Sequence, residues 1–305
     1  MMRFLARRFV TTIPSLWLIL TTVFLLARLV PGDPVRQMLG EGARAEDVAQ
    51  LRHALGLDQP VLAQYGSYLS HALRGNLGTS FRFREPVARI VLQRLPATLE
   101  LALVALLVSA ALAIPGGLLA ARFSGRPADR AVNLLSLTGL SIPNFALGPL
   151  LIVIFAVKLG WLPVSGRGGL THLVLPAITM GLALAAILMR MVRVVVGQEL
   201  GSDYVRTARA KGLTEMRVLL RHALPNSLLP ILTILGLQFG TLLAGAIVTE
   251  TIFSWPGIGR LAVQAIEARD YPLLQGCILT TATCYVVVNL LTDMLYAAAD
   301  PRVRL

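Results

Sequence analysis

Six long apolar runs recur along this chain, and that recurrence restricts its fold more than any other feature. They cover Phe9–Val30, Pro96–Ala121, Ala131–Leu159, Leu173–Val196, Leu228–Ile252 and Leu274–Ala299. Roughly 20 mostly apolar residues cross the hydrocarbon core of a bilayer as a helix, and every run reaches that length. Apolar residues make up 55% of the chain and charged residues 14%, a balance that water-soluble domains of this size rarely carry. The expected fold is an all-α integral membrane unit with six transmembrane helices. Pro96 opens the second run as a first-turn proline, where its missing N–H has no helical partner to lose. Pro143, Pro149 and Pro176 fall in or near the third and fourth runs and predict kinks.

The first run follows Arg3, Arg7 and Arg8, as in an export signal. It extends about 22 residues, however, with no small-x-small cleavage site before Pro31-Gly32-Asp33-Pro34. A retained signal-anchor helix is the expectation. Arg122, Arg126 and Arg130 follow the second run, and Arg206, Arg209, Lys211, Arg217 and Arg221 follow the fourth; Arg302 and Arg304 close the chain. With the N-terminal arginines, these clusters share one side of six spans, which puts both termini in the cytoplasm. The chain then divides into a signal anchor (1–30), an external helical insertion (31–95) and a five-helix core (96–305) that includes the long cytoplasmic loop 197–227. Within the insertion, Ala45–Leu57 and Pro60–Leu73 carry apolar residues at helical spacing. Those two stretches suit a membrane surface and a protein partner equally.

The net charge of +12 does not point to nucleic acid. Its cations bracket apolar spans instead of gathering on one soluble face with stacking aromatics, so membrane lipids are their expected contacts. Cys277 and Cys284 stand about 10 Å apart along one helix axis, beyond disulfide reach. Both read as small apolar fillers.

A phosphate-binding loop needs Gly-Lys-Ser/Thr, but the only lysines are Lys158, after Val157, and Lys211, after Ala210. This chain therefore reads as non-catalytic, with no bound cofactor, and no metal cluster or nucleophile constellation is evident. Glu100, Glu250 and Asp293 sit near span ends, and no midplane carboxylate relay accompanies them. That weighs against the competing class, a stand-alone ion-coupled secondary transporter or channel, which would need such a relay or an inverted repeat of broken helices.

The loop after the fourth run is the strongest candidate site. Ser202 and Asp203 are good helix-capping residues, and Asp203 suits the positive end of the helix dipole. Tyr204, Ala208 and Lys211 share one face, Ala208 and Ala210 keep the helix slim, and Gly212 is a natural left-handed stop. A second amphipathic stretch, Glu215–Ala223, leads to Leu224-Pro225 and back into the bilayer. Gly236, Gly240 and Ala244 recur every four residues of the fifth run as a helix-packing face, serving a partner subunit or this chain's own helices. Beyond that run, Trp255-Pro256-Gly257 forms a rigid turn whose aromatic suits a membrane interface.

The segment Gly212, nine intervening residues, then His222-Ala223-Leu224-Pro225 resembles the "EAA" loop of binding-protein-dependent ABC transporter permeases. Arg206-Thr207-Ala208 stands where the name-giving Glu-Ala-Ala would be, and His222 where Ile is usual. Both departures resemble the dipeptide/oligopeptide/nickel branch. RLPATLELAL (Arg94–Leu103), SIPNFALG (Ser141–Gly148), GWLPVSGR (Gly160–Arg167), ETIFSWPGIGRL (Glu250–Leu261), ARDYP (Ala268–Pro272) and the final DPRVRL (Asp300–Leu305) agree in order and spacing. The likeness covers nearly the whole chain and fits the subunit with the long first external loop.

That resemblance implies a type I ABC importer permease fold in the bacterial inner membrane. Partners would be a second homologous permease, two cytosolic ABC ATPases that use ATP and Mg, and a periplasmic or lipid-anchored substrate-binding protein. Asp203, Tyr204, Arg206, Thr207, Ala208, Arg209, Ala210, Lys211, Gly212, Leu224 and Pro225 would form the ATPase-coupling helix and its return. Glu250, Phe253, Trp255, Pro256 and Gly257 would line the external mouth. Transport of small peptides by alternating access would follow.

Overall fold

Helices carry nearly all of the computed structural model, which describes residues 2–29, 35, 39, 42–54 and 56–299. The stop at 31–34, the basic end with Arg302 and Arg304, and the side chains of Arg3, Arg7 and Arg8 lie outside the described residues. In chain order the elements are α1 (Met2–Leu29), α2 (Ala45–Ala54), α3 (Val61–Leu73), α4 (Val87–Arg122), α5 (Pro127–Ser141) and α6 (Asn144–Leu151), which runs on into a wider π turn, Ile152–Lys158. Then come α7 (Leu170–Leu200), α8 (Asp203–Ala210), α9 (Glu215–Val218) with a second π turn, Leu219–Ala223, α10 (Leu224–Ile252), α11 (Ile258–Glu267) and α12 (Tyr271–Ala299).

Among the described residues, four stretches are long and apolar enough to cross a bilayer: Val87–Arg122, Leu170–Leu200, Glu215–Ile252 and Tyr271–Met294. A fifth is broken, and α1 holds a shorter apolar segment, Thr12–Leu25. The broken one corrects the expectation of a single third span over 131–159. Its two helices meet at 97°. Pro143 is the cause: its ring disfavours helical backbone at the residue before it, and Ile142 is extended at φ −90°, ψ 114°. The chain therefore breaks where a kink was expected.

The second span also begins earlier than its apolar run. Pro86 precedes α4, and Val87, Ile90 and Val91 are buried against Ile258, Leu261 and Leu273. Pro96 thus lies inside the helix and not in its first turn. The carbonyl it deprives of a donor belongs to Leu92, which is exposed.

Lipid tails are as apolar as leucine, so close packing and hydrogen bonds must hold the helices together. The central cluster joins Leu101, Ala102 and Ala105 of α4 to Ala177 and Met180 of α7 and to Leu242, Leu243 and Ala246 of α10. Small residues set the α4–α7 approach: a Cβ at Gly117 would meet Val192 at 2.6 Å and the Met189 carbonyl at 2.8 Å. Gln238 is buried among these helices and donates from Nε2 to the Leu184 carbonyl at 2.9 Å. The expected face on α10 divides. Gly240 packs against Tyr285 of α12, where an added Cβ would stand 2.6 Å away, and Gly236 lies against Thr292. Ala244 stays exposed.

The ARDYP segment is a structural joint. Arg269 adopts φ 50° as α11 ends, and the buried Asp270 then caps α12 by accepting from the Leu273 N–H at 3.2 Å. Its other oxygen accepts from Ser80 Oγ at 2.5 Å and from the Arg82 N–H at 3.1 Å. One carboxylate thereby fastens the segment before α4 to the bundle. Asp270→Ala removes a cap worth about 1 kcal/mol and strands buried donors at about 1–3 kcal/mol each. The thermal unfolding midpoint of the purified protein is expected to fall by several degrees, with Asp270→Asn intermediate. An unchanged midpoint for the alanine variant would refute this role.

Candidate functional site

The loop that leaves α7 is rooted before it is exposed. Ser202 does not cap α8 with its side chain as expected; its hydroxyl donates back to the Glu199 carbonyl at 2.6 Å. Asp203 lies in the first turn of α8 and pairs with Arg206 at 3.2 Å. Val205 and Ala208 are buried against Val218, with Leu200 and Leu213 packed around them. Gly212 has φ +78°, and its N–H closes the turn onto the Arg209 carbonyl at 2.9 Å. Arg209 then grips Glu215 at 2.8 and 3.2 Å, bracing α8 against α9.

This geometry corrects the face proposed from spacing. Of Tyr204, Ala208 and Lys211, only Ala208 is buried. Ala208 faces inward, while the Tyr204 hydroxyl donates to Glu199 at 2.5 Å. Burial first, and that bond next, hold the Tyr204 phenol above its usual range. The exposed surface of the loop includes Asp203, Tyr204, Arg206, Thr207, Ala210, Lys211 and Gly212, beside Met216 and Leu220. It is basic, with a low apolar strip beside the slim α8. Leu224 and Pro225 open α10 directly behind it.

At the other end of α10, the candidate mouth residues form a buried clamp. Glu250 is completely buried. Its Oε1 accepts from Thr98 Oγ1 of α4 at 2.7 Å, and its Oε2 from the Arg260 N–H of α11 at 2.8 Å. The Gly259 N–H adds a third donor. Thr98 Oγ1 also accepts from the Ile258 N–H at 2.8 Å. Ser254 turns the chain back with φ 50°. A side chain at Gly257 would overlap the Glu250 carboxylate, so only glycine lets the return pass so close.

Trp255 is not an interfacial aromatic. It is fully buried, and its indole N–H donates to the Ala97 carbonyl at 2.8 Å. The reason lies in the turn: Ser254 reverses the chain, and the ring joins the core cluster of α4, α7 and α10. Phe253 is buried beside it, and its carbonyl accepts from Gly166 at 2.9 Å, while Pro256 is half-buried. Arg167 lies over the indole, 5.9 Å from its ring centre, and donates to Glu100 at 2.6 Å. The segment 253–257 is thus a plug held by α4, α11 and the loop before α7.

Thr98, Arg167 and the Arg260 N–H were not among the sequence candidates. Thr98 offered a faint signal, as a hydroxyl in an apolar run, but nothing in the spacing pairs it with a carboxylate 152 residues away. One continuous helix, α10, joins the loop that carries α8 to the clamp, about 43 Å at 1.5 Å per residue.

Comparison with known proteins places this geometry. Residues 113–305 match the family described as "Binding-protein-dependent transport system inner membrane component", and residues 1–102 match its N-terminal counterpart. The chain is 42% identical over 304 residues to the glutathione transport system permease protein GsiC of Escherichia coli O6:H1, spanning 100% of this chain and 99% of that protein. GsiC of Salmonella typhi is likewise 42% identical over 304 residues, with the same coverage. Among solved structures, an inward-facing MetNI methionine ABC transporter shares the fold, with TM-score 0.60 at 16% identity over 69% of this chain and 96% of that chain. With family matches along both parts of the chain and full-length relatives at this identity, the protein belongs to the binding-protein-dependent transport system inner membrane components, the permeases of bacterial ABC importers.

Proposed function

We propose that this permease carries small peptides of the glutathione class inward, driven by ATPases that seat α8. The relatives named for glutathione transport motivate the substrate class. The complete transporter would contain this chain, a second homologous permease, two cytosolic ATPases using ATP and Mg, and an external substrate-binding protein. Six spans with both termini in the cytoplasm would place α8 inside and the plug outside.

The observation that carries this reading is the two-sidedness of α8. Val205 and Ala208 root it in its own chain, while Arg206, Thr207, Ala210 and Lys211 are left exposed. A partner that grips the exposed side pulls on α9 and α10 through the buried side and the Arg209–Glu215 pair. The far end of α10 carries Glu250, so the same pull loads the clamp on the plug. Movement of that plug is the proposed gating step, with Glu250, Phe253, Trp255, Pro256 and Gly257 forming the gate.

Ala210→Trp tests the docking. It fills the exposed strip without touching the interior, so the permease should insert and unfold at the normal temperature. ATPase co-purification and ATP-driven glutathione uptake should fall at least tenfold. Normal uptake by this variant would remove α8 as the docking element. Uptake driven by an ion gradient in the absence of the ATPases would instead favour the stand-alone transporter.

A further inference from the structure

The external helix α3 has three distinct sides at 3.6 residues per turn. Gln64, Tyr65 and Tyr68 face α1, Leu62, Leu69 and Leu73 share a second side, and Ser67, Ser70 and His71 share a third. The second side is open at both ends, with Leu62 83% and Leu73 82% exposed and Leu69 half-buried between them.

The place where α3 sits decides what meets that side. Trp17, Thr21, Phe24 and Arg28 follow one another at i, i+4, i+7 and i+11, and so form one stripe of α1. Thr21 Oγ1 lies 2.6 Å from the Tyr65 hydroxyl. Phe24 meets Tyr65 edge-on at 5.0 Å and Tyr68 at 5.5 Å. Arg28 stacks on Phe24 at 3.6 Å and donates to Gln64. Trp17, one turn further in, is exposed, as are Ile13, Leu18 and Leu25 around it; in a membrane protein this is surface for lipid. A guanidinium avoids the hydrocarbon interior, so Arg28 marks the boundary of the bilayer. Thr21 lies about 10 Å along the helix from Arg28, and interfacial amphipathic helices sit about 5–10 Å into that boundary.

We propose that α3 is a membrane-interface helix lying against the outer end of α1. Leu62, Leu69 and Leu73 dip among the acyl chains of the leaflet at the Arg28 end, and Ser67, Ser70 and His71 face water. The apolar side of α3 continues the lipid-facing surface of α1, with no charged group among its leucines. α3 thereby steadies the insertion at a fixed depth, while Asp270 fastens its other end.

The test uses the assembled transporter in nanodiscs of phosphatidylethanolamine and phosphatidylglycerol, in a Cys277→Ala, Cys284→Ala background. Nitroxide labels are placed one at a time through Leu62→Cys, Leu73→Cys, Ser67→Cys and Ser70→Cys. Power-saturation measurements then compare collisions with oxygen, which partitions into lipid, and with a water-soluble nickel chelate. Labels at 62 and 73 are expected to collide several-fold more with oxygen than with the chelate, and labels at 67 and 70 the reverse. Equal chelate access at all four sites would overturn the proposal by placing α3 in water. Shielding of 62 and 73 from both reagents would overturn it by showing a protein partner on that side.

Discussion

Glu250→Ala is expected to abolish uptake and to cost the permease much of its stability. The carboxylate is the shared acceptor for the Thr98 hydroxyl and for the N–H groups of Gly259 and Arg260. Its removal leaves those donors buried without a partner, at about 1–3 kcal/mol each, and opens a void in a close-packed site. Three segments then come apart together: α10, the first turn of α11 and the buried side of α4. The plug with Trp255 loses its seat even though the indole still reaches Ala97. Glu250→Gln keeps the volume and one acceptor oxygen but turns an amide donor toward groups that also donate, so it should fall between. Thermal unfolding in detergent and ATP-driven uptake in proteoliposomes measure both effects. An alanine variant that unfolds at the wild-type temperature and transports normally would show that the clamp does not hold the plug.

The turn at Gly212 should give an effect nearly as large by a different route. Nothing lies within 4 Å of the point where a Cβ would stand on Gly212, so a substitution there meets no steric obstacle. The cost is in the backbone. At φ +78° an ordinary L-residue loses about 1–2 kcal/mol, and a β-branched one is held from that region more strongly. Gly212→Val should therefore leave the buried core and membrane insertion intact while moving α8 relative to α9. Uptake and ATPase co-purification are expected to fall about tenfold or more, since 1.4 kcal/mol is a factor of ten. Asn tolerates left-handed backbone, so Gly212→Asn should keep most of the activity. Equal loss in both variants would assign the effect to the side chain and contradict the backbone account.

Much of the local structure between α7 and α10 was legible because its signals are local. Helix entry near Ser202, a stop at Gly212 and re-entry at Leu224-Pro225 each follow from residues a few positions apart. Its inner and outer faces were not legible. Helical spacing grouped Tyr204 with Ala208, but which side of α8 turns inward depends on Val218 and Leu213, and thus on how the chain folds back after the stop. The broken third span shows the same limit. Pro143 announces a disturbance of the helix, whereas the 97° between the two pieces reflects what α5 and α6 each pack against.

By itself, the sequence determined a helical membrane protein, because length and apolarity are summed over neighbours along the chain and every helix satisfies its own backbone. It also determined the family, since the motifs that carry the likeness are short and ordered. Only the tertiary structure decided what the isolated polar residues do. Glu250 read in the sequence as an acid near a span end, and Asp270 only as part of the ARDYP segment. The fold turns each into a buried acceptor for donors more than 150 residues away in the chain. A carboxylate taken out of water must find such donors, and which donors it finds depends on which helices meet.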